Sequence, residues 1–103
     1  MERKLLTVIT EQALERHLIR CVMEAGARGY TITEARGLGE RGLRSADFET
    51  GGNIRLEVIC EDAVARQIAG RLHRDYFHDF AMVLYLEDVE VLRPEKFNAT
   101  EHE

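Results

Sequence analysis

The chain has 103 residues, 45% of them apolar, and a formal net charge of −5 at pH 7, so residues 1–103 are expected to form a single domain with one hydrophobic core. The acidic balance argues against a general nucleic-acid binder, whose footprint is a basic surplus or stripe. No apolar run approaches the roughly 20 residues of a membrane span, and the N-terminus lacks the apolar core of a signal peptide, so the expectation is a cytoplasmic protein that is not membrane-embedded.

Residues 4–10 (KLLTVIT) are aliphatic and β-branched and predict a strand buried on both faces. Thr10 is placed to cap the helix that follows over residues 11–25, where Leu14, Leu18, Cys21, Val22 and Ala25 fall on one stripe. His17 falls on the apolar side of this helix, and Gly26 is its expected terminator. A second strand is predicted over residues 29–38 and a third over 54–60, paired as a long hairpin. Glu61 and Asp62 open a second helix at its positive dipole end, with Val64, Ala65, Ile68, Ala69 and Leu72 as its apolar stripe. Tyr76, Phe77 and Phe80 close this unit, residues 82–92 form the fourth strand, and Pro94 stops it.

This β-α-β-β-α-β order predicts an α+β, ferredoxin-like domain with a four-stranded antiparallel sheet and both helices on one face. Val8 beside Ile9, and Val83 beside Leu84, make strands apolar on both sides, so the helix-free face is expected to be covered by further copies of the chain.

Between the second and third strands, residues 36–53 (RGLGERGLRSADFETGGN) hold five of the eight glycines and three arginines. Bare N–H groups that allow close approach, with planar cationic forks between them, suit an anion, and Arg41 and Arg44 with Ser45 as a neutral donor are the candidate phosphate ligands. Neither a Walker A sequence nor a dinucleotide fingerprint is present. Cys21 and Cys60 show no C-x-x-C or zinc spacing and are expected as buried, reduced thiols. The four histidines share no metal-ligand spacing, and Asp75, His78 and Asp79 read as a solvated helix end rather than an acid–base cluster. The glutamates after position 86 read as a solvated edge and tail.

The run GYTITEARGLG at 29–39 resembles the second strand and T-loop approach of PII signal-transduction proteins, G-x-T-x-T-E-x-[KR]-G-x-G, and the third strand with Glu57 is similar too. Two departures stand out. Residues 74–82 (RDYFHDFAM) replace the glycine- and lysine-containing B-loop, and the loop at about 38–53 has Asp47-Phe48 and no uridylylated tyrosine. Both fit the PII-like branch tied to inorganic carbon, whose G-x-G-x-R-x-x-R-S resembles residues 37–45 and whose Y-F-x-[DN]-[YF]-A resembles residues 76–81. Within that branch, which includes the SbtB proteins, the absence of cysteine after Cys60 and residues 92–97 (LRPEKF), which lead into the short tail from about 93 to 103, are more similar to the carboxysome-associated group.

The resemblance implies a homotrimer with nucleotide clefts between subunits. Thr31, Gly37, Glu57 and Ile59 would line the adenine and ribose side with Val8 beneath, and Gly39, Arg41, Arg44 and Ser45 would take phosphate. The backbone of Phe80, Ala81 and Met82 would close the cleft, and Arg93 would reach in from a second subunit. AMP or ADP is the implied ligand, with ATP and cyclic AMP as alternatives, and bicarbonate would bind beside it at Gly39, Arg41, Gly42 and Arg44. No obligatory cofactor, metal or catalytic residue is implied. The loop would act on a bicarbonate transporter or another carbon-uptake protein, recruiting the chain to the inner face of the plasma membrane. Two alternatives share the architecture: a small phosphohydrolase of the acylphosphatase kind, which would need a glycine-rich loop after the first strand, and a CutA-type metal-binding trimer, which would need clustered ligands.

Overall fold

The computed structural model describes residues 2–37 and 52–98, so the central part of the arginine- and glycine-rich loop lies outside the described residues. The elements follow as β1 (Glu2–Glu11), a 3-10 turn (Gln12–Leu14), α1 (Glu15–Glu24), β2 (Thr31–Ala35), β3 (Asn53–Cys60), α2 (Asp62–Tyr76), β4 (Met82–Glu90) and a second 3-10 turn (Pro94–Phe97). The strands form one antiparallel sheet in the order β2-β3-β1-β4. This is the ferredoxin-like arrangement that the order of elements predicts.

Period-2 alternation divides the sheet into two unlike faces. On one, Leu6, Val8 and Thr10 of β1 and Ile54, Leu56, Val58 and Cys60 of β3 are buried. They meet Leu18, Cys21 and Val22 of α1 and Val64, Ala65, Ile68 and Leu72 of α2, and Met82, Leu84 and Leu86 of β4 pack against the same core. Each fully buried aliphatic side chain contributes about 1.5–3 kcal/mol by leaving water. Gly26 ends α1 at φ 100°, with its N–H donating to the Met23 carbonyl and the Ala27 N–H to the Val22 carbonyl. Only glycine adopts this left-handed backbone without strain.

Among the described residues no α-helix covers the other face. Register places Thr31, Glu57, Thr7 and Tyr85 in one row across the four strands, and Thr33, Arg55, Ile9 and Val83 in the next. Val83 is 55% exposed there.

Several boundaries differ from the sequence-based expectation. Thr10 does not cap a helix: it stays extended in β1, and its hydroxyl donates to the Ala81 carbonyl at 2.7 Å. The ladder pairs Glu11 with Asn53 and the Gln12 N–H donates to the Gly52 carbonyl at 2.9 Å, so strand pairing wins through residue 11 and α1 begins only at Glu15. β2 covers Thr31–Ala35 rather than 29–38, and β4 stops at Glu90, leaving Leu92 98% exposed. His17 is exposed, its ring edge-on to Tyr76. No helix among the described residues is long and apolar enough to cross a membrane.

The C-terminal segment is not a free solvated tail. Arg3, on the helix-free face, donates from Nη2 to the Pro94 carbonyl at 3.1 Å and to Asn98 Oδ1 at 2.5 Å. Arg28 donates from Nε to the Asn98 carbonyl at 3.0 Å. The turn is thereby held against the sheet.

Candidate functional site

A depression of about 190 Å³ opens where the helix-free face meets the C-terminal turn. Thr31 and Glu57 enter it as register partners on β2 and β3, and Ile59 follows two residues on, so alternation sends all three to one side. Arg28, Gly29 and Tyr30, which lead into β2, and Lys96 and Phe97 of the turn complete the lining. Arg55 donates from Nε to Glu57 Oε2 at 3.1 Å, which orients the carboxylate on a half-exposed strand. The lining therefore combines apolar surface from Ile59 and Phe97, a fixed carboxylate that accepts from N–H or O–H donors, and the cations Arg28 and Lys96. This suits a ligand with a flat apolar part, hydroxyl or amino donors, and negative charge.

A second group of expected residues lies at the end of the sheet where the loop departs. Gly37 follows β2, and Phe80, Ala81 and Met82 lead into β4. The exit of β1 ties the surroundings down. Glu11 Oε2 accepts the Ala81 N–H at 2.9 Å, Thr10 holds the Ala81 carbonyl, and the Gly52 N–H donates to Gln12 Oε1 at 3.3 Å. Both main-chain groups of Ala81 are thus engaged within the chain. β2 and β4 are the two edges of the sheet. Three interstrand spacings, about 14 Å, separate them.

Of the expected ligand residues, Thr31, Glu57 and Ile59 are brought together. Val8 is not among them: fully buried between Leu56 and Leu84, its side chain belongs to the helix-covered core and points away from the depression. Arg93 is exposed, and its carbonyl accepts the Lys96 N–H at 3.1 Å. Gly39, Arg41, Gly42, Arg44 and Ser45 lie outside the described residues. Arg3, Arg28, Lys96, Phe97 and Asn98 are the residues that sequence reasoning missed. The available signal was Arg3 at the odd positions of β1, but the return of residues 94–98 across the sheet has no sequence pattern.

The remaining chemistry is quiet. Cys21 and Cys60 are free and buried, and burial pushes both thiols up, Cys60 to about 11. Asp75 pairs with Arg74 on an exposed helix end. Among the described residues no three His, Cys, Asp or Glu side chains gather as a metal group.

The model of the family described as nitrogen regulatory protein P-II matches residues 3–96. A solved chain from Thermus thermophilus, described as a PII-like signaling protein, is similar at 42% identity over 94% of this chain and 96% of that one, with a TM-score of 0.80. CPII of Thiomonas intermedia, a nitrogen regulatory PII-like protein solved with ADP, AMP and bicarbonate, shares the fold at 24% identity, with 95% of each chain covered and a TM-score of 0.82. Its apo form is similar at 20% identity over 88% of this chain and 92% of that one, with a TM-score of 0.72.

Proposed function

Because the chain belongs to the nitrogen regulatory protein P-II family, we propose that it is a sensor of adenine nucleotides that acts as a homotrimer of a single domain, residues 1–103. AMP and ADP are its foremost ligands, ahead of ATP and cyclic AMP, and bicarbonate binds beside them. The loop at 38–53 reports the occupied state to a bicarbonate transporter or another carbon-uptake protein, in the manner of the carboxysome-associated branch, on the cytoplasmic side of the plasma membrane. The function is signalling rather than catalysis.

The observation that carries this reading is the convergence of Thr31, Glu57 and Ile59 in one depression on the uncovered face. Ile59 suits the base, and the Glu57 carboxylate suits ribose hydroxyls. Gly37 and the Phe80–Met82 backbone lie on opposite edges of one protomer, too far apart to grip one small ligand together. Neighbouring copies bring opposite edges into one cleft, which favours sites between subunits. In that cleft Gly37 and Gly39 allow close backbone approach, Arg41, Arg44 and Ser45 take phosphate, and Arg93 comes from the adjoining subunit. Bicarbonate, a planar anion, fits the arginine forks and glycine N–H groups of Gly39, Arg41, Gly42 and Arg44. The ligands named for CPII support the pairing of adenylate with bicarbonate.

Isothermal titration of AMP, ADP, ATP and cyclic AMP into the purified chain, each with and without bicarbonate, tests the reading. The expected result is tightest binding of AMP or ADP, tightened further by bicarbonate, with bicarbonate tightened by the same factor in the reverse titration. Indifference to bicarbonate removes the carbon branch and leaves an adenylate sensor, and absence of any binding removes both.

A further inference from the structure

The turn Pro94–Phe97 is far in sequence from every expected ligand residue in the sheet, yet it forms one side of the depression. Two arginines from separate places hold it there. Arg3 reaches it from the start of β1 through the Pro94 carbonyl and the Asn98 side chain, and Arg28 reaches it from the approach to β2 through the Asn98 carbonyl. Inside the segment the Asn98 N–H donates to the Glu95 carbonyl at 3.5 Å, a long and weak bond, so the attachment rests mainly on the arginines. Arg3 is half-buried, with its Nε buried and without a hydrogen-bond partner among the described residues. A desolvated guanidinium is costly unless acceptors compensate, so Arg3 and the Pro94 and Asn98 oxygens hold each other strongly.

We propose that Arg3 and Arg28 are positioning residues of the ligand site: through Asn98 they fix Lys96 and Phe97 as a wall supplied by the same chain, and the wall tightens when the depression fills. The ligand is the adenine nucleotide of the preceding section, and the inference rests on that reading. Phe97 adds apolar surface beside the base opposite Ile59, and Lys96 adds a cation for the anionic end. Because the wall touches ligand only when clasped, clasping and occupancy favour each other by the same factor.

The test uses the full chain. Dissociation of a fluorescent ADP analogue, chased with unlabelled ADP, is measured for wild type, Asn98→Ala, Arg28→Ala and the double variant, and amide exchange of Lys96 and Asn98 is followed in wild type with and without ADP. Loss of these hydrogen bonds raises the dissociation rate about three- to tenfold in either single variant. The double variant falls short of the product of the two, since both changes release one segment. ADP slows exchange at Lys96 and Asn98, a readout that a purely structural clasp does not move. If wild type binds ADP while its exchange at both amides is unchanged and the variants release ADP at the wild-type rate, the positioning role is wrong and the sensor reading stands. Failure of wild type to bind ADP overturns both.

Discussion

Thr7 and Val8 are neighbours on β1 and both fully buried, yet alternation separates their surroundings completely. Val8 pairs with Leu56 and Leu84 inside the core, while Thr7 pairs with Glu57 and Tyr85 on the helix-free face, where its hydroxyl is buried without a hydrogen-bond partner among the described residues. Family motifs locate a residue on a strand, but the side it faces is set by register, which explains why Thr31, Glu57 and Ile59 meet and Val8 stands apart. Cys60 offers a prediction at the same scale. Burial raises its thiol from the ordinary 9.0 to about 11, and Cys21 shifts in the same direction. The folded state keeps the proton that the unfolded chain releases first, so this contribution is fully present below pH 9 and is lost between there and about 11. Two units correspond to about 3 kcal/mol at most. Urea unfolding at pH 8 and 10.5 should show Cys60→Val losing less stability across that interval than wild type; equal losses would sink the assignment.

Helices and strands were legible where periodicity was long and one-sided. The stripe Val64, Ala65, Ile68 and Leu72 became the buried face of α2, and Gly26 became the terminator of α1. The start of α1 departs from the sequence-based expectation because Thr10 and Glu11 have the local chemistry of a helix opening, while the partners that keep them extended, Ala81 and Asn53, lie 71 and 42 residues away. Non-local pairing overrode a local signal. Gly26→Ala forces a Cβ into the left-handed region and should cost about 1–2 kcal/mol. A urea midpoint unchanged by this substitution would show that the turn relaxes to another backbone shape.

For the whole molecule, apolar neighbours such as Val8 with Ile9 and Val83 with Leu84 lead to the expectation that the second sheet face is covered, and the structure shows what that face presents. Leu5 and Ile9 are half-buried, Val83 is exposed, and the row of Thr7, Glu57 and Tyr85 runs between them. The site was half legible for a related reason. On the proposed reading the cleft is shared between copies, which leaves only one copy's residues in any single chain, and the return of residues 94–98 across the sheet depends on three-dimensional closure. Val83→Asp puts a charge on this face at a position that the lone protomer leaves in water, so the fold should survive and the assembly should not. Light scattering after size exclusion is expected to give a trimer for wild type and a monomer for the variant, with matching circular dichroism. A trimeric variant would place the interface elsewhere.

The strand order has a consequence for how the protein is made. β1 is first in the chain and lies inside the sheet, flanked by β3 and, on its other side, by β4, which ends at Glu90. During synthesis one edge of β1 stays open until residues 53–60 have emerged, and the other until residues 82–90 have. A nascent or truncated chain that stops before Met82 leaves the ladder of β1 facing Leu84 and Leu86 unpaired and its aliphatic residues at an open edge, the form of strand most prone to pair with another molecule. Completion of the last strand is thus the step that protects the first.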